Sequence, residues 1–158
     1  MKKDKLLRIL CIILAIFIVI IILLLLSINN KATFKKPEFD KNVREIPSEL
    51  DYEDSVLSIV DGYSLYISPN PKIVDDNYLK IDLVSIKNNR VFIKVRILDE
   101  NKEILGETGL LRAGEYLEKV KLNKNVNIND KIIYKIMGYE KDTYMSAGSI
   151  SLNTRIGG

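Results

Sequence analysis

The hydrophobic and polar positions divide this 158-residue chain into three successive patterns. The first is a run of 18 consecutive apolar residues, from Ile9 to Leu26, which Ser27 and Ile28 extend. As a helix with a rise of about 1.5 Å per residue, this run is roughly 27–30 Å long, close to the hydrocarbon thickness of a bilayer. It contains no glycine, proline or charge, and no polar stripe of the kind that a helix in a soluble core shows. The pattern predicts a transmembrane helix over residues 9–28.

The cations before this segment predict its orientation. The tail of residues 1–8 carries four cations against Asp4. Because short basic N-terminal tails favour the inside of the membrane, we expect a cytoplasmic tail and an extracellular C-terminus, in a single-pass signal-anchor arrangement. Cleavage as a signal peptide is disfavoured because no small-x-small site follows Leu26. A lipoprotein is disfavoured because Leu10 precedes Cys11.

The second pattern, over residues 29–54, is dense in charge and sparse in apolar positions. Pro37 and Pro47 exclude one continuous helix, so the segment is predicted to be a polar stalk. A cluster of carboxylates near its end is interpreted as solvated charge in preference to a calcium site. These residues are Asp51, Glu53 and Asp54.

The third pattern, from residue 55 onward, is an alternation of period two that turn residues interrupt every 8–12 positions, which is typical of antiparallel strands. The predicted strands cover residues 56–60, 63–67, 78–87, 91–98, 103–108, 116–122, 131–139 and 147–156. Seven or eight such strands predict an all-β ectodomain over residues 55–158, an antiparallel sandwich of the immunoglobulin or fibronectin type III kind. A small β-barrel is the alternative fold.

Several segments of this region also follow a family pattern. They are Tyr78-Leu79-Lys80-Ile81-Asp82-Leu83, residues 97–105, residues 109–116 and the closing strand from Ser146. Their order, over residues 65–156, resembles a family of small membrane-anchored proteins of Clostridia and related Firmicutes, a family without an established activity. The chain departs from the pattern at Thr108 and Ala113, where the family has Ser and Pro, and at Asn101-Lys102, which replace a turn glycine. The resemblance implies a Gram-positive cell surface and a sandwich-like domain, and it transfers no site.

The composition limits the partners, reactions and cofactors that the chain is expected to have. The net charge is +3, which the four cations and one carboxylate of the tail supply, so the rest is near neutral and no nucleic-acid partner is expected. The chain has no histidine, and Cys11 is its one cysteine. The commonest general base and the usual zinc ligands are therefore missing, and we expect neither catalysis nor a cofactor. Carboxylate pairs at Asp75-Asp76, Asp99-Glu100 and Glu115/Glu118 are interpreted as structural, which leaves a cell-wall polymer hydrolase as a distant alternative.

The tyrosines late in the chain are the best indication of binding. Tyr139, Tyr144 and Met145 lie in or beside the predicted loop after the strand at 131–139, and these residue types are favoured at interfaces. We therefore expect a membrane-anchored extracellular module that binds a protein or a cell-wall polymer through these three residues. The alternative is an accessory subunit of a larger membrane complex for secretion, conjugation or transport.

Overall fold

The computed structural model describes residues 2–29, 34–59, 62–75 and 77–158; within the N-terminal helix it describes the side chains of residues 5, 8 and 12–23. The predicted stalk residues 30–33, the predicted hairpin residues Val60 and Asp61, and the carboxylate Asp76 lie outside these ranges. The chain divides into two compact units, Met1–Lys35 and Lys36–Gly158.

The first unit contains a continuous helix, α1, over Lys2–Asn29. It extends beyond both ends of the predicted span, because no residue that breaks helices occurs between Lys2 and Asn29. Its large apolar side chains from Ile12 to Leu23 are between 41% and 61% exposed. Among the residues that the structure describes, no helix is both long and apolar enough to cross a membrane.

The second unit, which we call the β-unit, has ten strands and a short 3₁₀ helix, Glu53–Ser55, in the part of it that the structure describes. The strands are β1 (Arg44–Glu45), β2 (Leu57–Ile59), β3 (Tyr63–Tyr66), β4 (Lys72–Val74), β5 (Tyr78–Ser85), β6 (Val91–Leu98), β7 (Ile104–Glu107), β8 (Glu115–Lys121), β9 (Lys131–Glu140) and β10 (Ser146–Arg155). The alternation of apolar and polar residues explains why these segments form strands. In β6, Ile93, Val95 and Ile97 are fully buried, while the residues between them point to the other side of the sheet.

These strands form two sheets whose named strands all pair antiparallel. The six-stranded sheet has the order β1-β8-β5-β3-β2, with β4 also paired to β5, and the four-stranded sheet has the order β10-β9-β6-β7. The buried core draws on both sheets, for example Leu65, Leu83 and Leu117 from the first and Val95 and Ile136 from the second. The predicted all-β class with antiparallel sheets is therefore confirmed, and the arrangement is consistent with a two-sheet sandwich.

The start of the folded unit differs from the prediction. Residues 36–54, predicted as part of the stalk, belong to the β-unit, which begins at Lys36 and not at residue 55. Asp40 donates its amide to the carbonyl of Leu110 at 3.0 Å, and its Oδ2 accepts the amide of Gly109 at 2.8 Å. Strand β1 then adds to β8, with Arg44 opposite Tyr116. Residues 36–54 are held by partners some 70 residues away in sequence, and the local pattern of charges and prolines does not reveal such partners.

Candidate functional site

The outer face of the four-stranded sheet carries the side chains that the core does not use. In β6 these are Phe92, Lys94 and Arg96, each half-buried. In β9, Lys135 and Tyr139 point to the same side, because Tyr134 and Ile136 face the core. In the sheet, Phe92 lies opposite Tyr139, and Arg96 lies opposite Lys135. This outer face therefore has an aromatic end and a basic end.

At the aromatic end, three rings and two cations form a continuous row, which we call the aromatic cluster. The Phe39 and Phe92 rings meet edge to face, with centroids 4.9 Å apart, and the Phe92 and Tyr144 centroids are 5.6 Å apart. The guanidinium of Arg112 lies 3.8 Å from the Phe39 centroid, and Nζ of Lys36 lies 3.9 Å from the Tyr144 centroid. Cations in this position interact favourably with the ring faces.

The three predicted contact residues all lie at this aromatic end. Tyr139 is half-buried opposite Phe92, and its hydroxyl is 3.8 Å from the sulfur of Met137. Tyr144 is half-buried within the cluster, whereas Met145 is 64% exposed. The structure thus brings the predicted tyrosines together around Phe92; their role in binding stays a prediction.

The connection between β9 and β10 holds Tyr144 in place. Its amide donates to the carbonyl of Glu140 at 3.0 Å, and the amide of Glu140 donates to the carbonyl of Met145 at 3.0 Å. Tyr144 adopts a positive φ of 58°. This conformation is uncommon for a bulky residue, so it needs support from surrounding contacts. The backbone bonds and the Phe92 contact supply that support.

Sequence reasoning missed Phe39, Phe92, Lys36 and Arg112. Two of these residues, Lys36 and Phe39, lie in the segment that was predicted to be a stalk. Phe92 did carry a usable signal, because it occupies the same side of β6 as Lys94 and Arg96. An aromatic residue on the polar side of an alternating strand indicates a contact outside the core.

The basic end is a set of five outward-facing cations, which we call the basic face. They are Lys94, Arg96, Lys131, Lys135 and Arg155. In β9 and its neighbours, Lys135 lies directly opposite Arg96, and Lys131 lies directly opposite Arg155. Like charges at directly opposed positions destabilise a sheet where no carboxylate compensates them.

Few carboxylates compensate this charge. Glu107 accepts from Lys94 and from Arg96, each at 3.0 Å, and Glu100 pairs with Lys131 at 2.8 Å. Burial alone would raise the pKa of Glu107, but the hydrogen bonds from the two cations outweigh burial and hold that pKa below its ordinary value. Within the described part of the chain, Lys135 has no ion pair.

The carboxylates that sequence reasoning considered for catalysis have other partners. Asp99 Oδ1 accepts the amide of Glu103 at 2.8 Å, which closes a turn. Glu115 accepts the amide of Arg112 at 2.6 Å, and Glu118 pairs with Arg44 at 2.7 Å. Across residues 34–59, 62–75 and 77–158, no group of three or more Asp, Glu or Cys side chains is placed to hold a metal ion. The arrangement offers fixed cations, rings and hydrogen-bond donors on its outer face.

Comparison with known proteins adds little to this geometry. No protein-family model matches the sequence, and no curated protein matches it. Among solved structures, the chain is similar to a β-glucuronidase of Ruminococcus gnavus determined in complex with uronic isofagomine. The identity is 14% and the TM-score is 0.38. The match covers 58% of this chain and only 14% of the β-glucuronidase chain.

Proposed function

We propose that the protein is a single-pass, membrane-anchored extracellular binding module without catalysis, whose β-unit is an immunoglobulin- or fibronectin type III-like sandwich. The aromatic cluster is the observation that carries the binding role. Three rings and two cations are ordered outside a core that both sheets already fill. Aromatic residues, Met and Arg are the types enriched where proteins meet partners, and exposed Met145 extends the same surface.

The anchoring part of the proposal rests on the helix α1. Its run of 18 apolar residues has the length of a bilayer core, and its described apolar side chains are exposed along the whole segment Ile12–Leu23. Exposed apolar surface of this extent favours an apolar environment. The basic tail before it favours a cytoplasmic N-terminus.

Alkaline extraction of membranes tests the anchor. We expect the full chain to remain in the membrane pellet at high pH, because an inserted helix is held by its apolar contacts and not by charge. Added protease should reach the β-unit from outside intact cells. Release of the chain into the alkaline supernatant would contradict the anchor.

Sedimentation of the detergent-solubilised full chain with isolated cell envelopes tests the binding role. We expect Tyr144→Ser to reduce the bound fraction several-fold, because it removes the ring between Lys36 and Phe92. Tyr78→Ser is the matched control: Nζ of Lys119 lies 4.9 Å from the centroid of the Tyr78 ring, so the control loses a similar contact on the other sheet. Equal losses in the two variants, or none in either, would refute the assignment of the surface.

A further inference from the structure

We propose that the basic face binds a linear polyanion, a flexible polymer that carries repeated phosphate or carboxylate groups. This inference rests on the proposed binding function and names the chemistry of its ligand. The first support is the imbalance of charge. Five cations lie on the outer face, and two carboxylates, Glu107 and Glu100, contact three of them.

One member of each opposed pair, Lys135 or Arg155, has no carboxylate partner among the described residues, so part of the repulsion is left uncompensated. Arg96 and Lys135 are opposed across one strand pair, and Lys131 and Arg155 across the next. A glutamate in place of Lys135 would turn the first pair from repulsive to attractive. A destabilising arrangement that a chain keeps at its surface is characteristic of a site that binds a ligand.

The six-stranded sheet shows that opposed cations can be compensated within this fold. Lys80 lies opposite Lys119 there. Lys119 pairs with Asp75 at 2.5 Å, and Lys80 lies 3.8 Å from Asp82 and 3.7 Å from Glu118. Each lysine of that pair therefore has a carboxylate, whereas Lys135 has none among the described residues.

The spacing of the cations suits a chain of anions. Neighbouring strands lie about 4.8 Å apart, and outward residues recur about every 6.7 Å along a strand. Each opposed pair therefore places two charges about 5 Å apart, and four residues of β9, about 13 Å, separate Lys135 in the first pair from Lys131 in the second. On the adjoining strand β10, the outward residues add hydroxyl and amide donors for the oxygens of such a polymer. They are Ser149, Ser151 and Asn153.

The depth of two of the cations, Lys94 and Arg96, favours a polymer over a membrane surface. The side chain of Lys94 is 13% exposed and that of Arg96 is 32% exposed. A thin, flexible polymer can bring its anionic groups down to such recessed cations. The headgroups of a bilayer contact only side chains that protrude from the protein surface. Hydroxyl groups beside the charges also suit a polymer whose backbone accepts hydrogen bonds.

The test titrates the detergent-solubilised full chain, in a non-ionic detergent at low ionic strength, with four probes. Inorganic polyphosphate and poly-glutamate present repeated phosphate and carboxylate groups, and dextran is the neutral polymer. Glycerol phosphate, a soluble anionic lipid headgroup, stands for a membrane surface, because vesicles would take up the apolar helix α1 whatever the basic face binds. We expect binding to one or both polyanions, none to dextran, and affinity that falls as salt screens the charges. The polyanion that binds more tightly identifies the anionic group.

Three variants decide whether the basic face is the site. Lys135→Glu should weaken polyanion binding about tenfold, because it changes the local charge by two units. The same substitution should raise the melting temperature, since it places a carboxylate opposite Arg96. Glu107→Gln should tighten binding about twofold to threefold, because it frees two cations. Lys121→Glu, at an exposed position on the other sheet, is the control and should change affinity less than twofold.

The outcomes separate this inference from the proposed function. Equal effects of Lys121→Glu and Lys135→Glu, or binding to glycerol phosphate without binding to either polyanion, would overturn the polyanion site. Absence of polyanion binding, together with envelope binding that depends on Tyr144, would refute this inference and leave the binding module in place. Loss of both would refute both.

Discussion

The hydroxyl of Tyr116 donates a 2.5 Å hydrogen bond to Oδ1 of Asp82, which joins strand β8 to an irregular point of β5. At this point the register between the two strands shifts, between Lys80 and Leu83. Asp82 itself has a positive φ of 42°. Irregularities of this kind bend a strand and survive only where specific contacts support them. The hydroxyl of buried Tyr116 supplies such a contact.

We predict that Tyr116→Phe lowers the free energy of unfolding by about 1–3 kcal/mol, because the carboxylate of Asp82 loses its donor. Urea denaturation at neutral pH measures the change. Asp82→Ala is the companion variant, since alanine has no acceptor, and its strain at a positive φ is common to both backgrounds of a double-mutant cycle. In a double-mutant cycle, the two substitutions should couple by at least about 0.5 kcal/mol. Strict additivity would show that the bond does not stabilise the fold.

The strands of this protein could be predicted where the alternation is long. Residues 91–98 were predicted as a strand and form β6 with the same bounds, because four apolar residues alternate with polar ones there. The other predicted strands lie within about two residues of their predicted ends. Strands β1 and β4 were missed. They are two and three residues long and carry no pattern of their own, so only their partners, β8 and β5, define them.

The candidate surface could be predicted only in part. Tyr139 and Tyr144 were singled out because aromatic residues near a loop are a local signal, and they do lie together at the aromatic end. The basic face has no such signal. Its five cations are spread over residues 94–155, and nearby carboxylates keep the sequence near neutral. Pairing of β6, β9 and β10 brings those cations onto one face and leaves most carboxylates elsewhere.

Gly109 tests how residues 38–40 pack against the rest of the β-unit. A Cβ atom at this position would overlap the backbone nitrogen and Cα of Asp40. We predict that Gly109→Ala detaches residues 38–40 and costs about 1–3 kcal/mol of unfolding free energy, because backbone cannot give way as a flexible side chain can. Hydrogen exchange of the Leu110 amide, which donates to Glu38 at 2.8 Å, should accelerate.

The control for that experiment is Gly158→Ala. Its added Cβ would meet Ile128 at 3.8 Å, an ordinary van der Waals distance, so stability should stay within about 0.5 kcal/mol. Unchanged exchange of the Leu110 amide in Gly109→Ala would contradict the docked position of residues 38–40.

Glu107 should make stability depend on pH in the acid range. The folded pKa of Glu107 lies below its ordinary value of 4.5, so the folded state binds fewer protons there than the unfolded state. Its stabilising contribution is therefore present above pH 4.5 and is lost as the pH falls through the folded pKa. We predict that Glu107→Gln flattens this part of the pH profile in urea denaturation.

The size of that effect should be small. The Glu107 side chain is 41% exposed, so solvent screening keeps the contribution below about 1 kcal/mol. Repeating the measurement in 1 M salt is the control, because salt screens exposed pairs and should shrink the difference between the wild type and the variant. A difference that salt leaves unchanged would point to packing and not to the ion pairs with Lys94 and Arg96.

Tyr134 should make stability depend on pH in the alkaline range. Burial, followed by the charge of Asp82, raises the pKa of its hydroxyl well above the ordinary value of 10.0. Above pH 10 the unfolded state loses this proton while the folded state keeps it, so stability falls as the pH rises, until the folded pKa is reached. We predict that Tyr134→Phe gains about 1.4 kcal/mol relative to the wild type between pH 8 and pH 11.

The substitution keeps the ring, and the hydroxyl makes only a long hydrogen bond, 3.5 Å, to the carbonyl of Ser68. The cost at pH 8 should therefore be below about 1 kcal/mol, which denaturation at that pH measures separately. If the free-energy difference between the two proteins is the same at both pH values, the hydroxyl ionises as readily in the folded state as in the unfolded state.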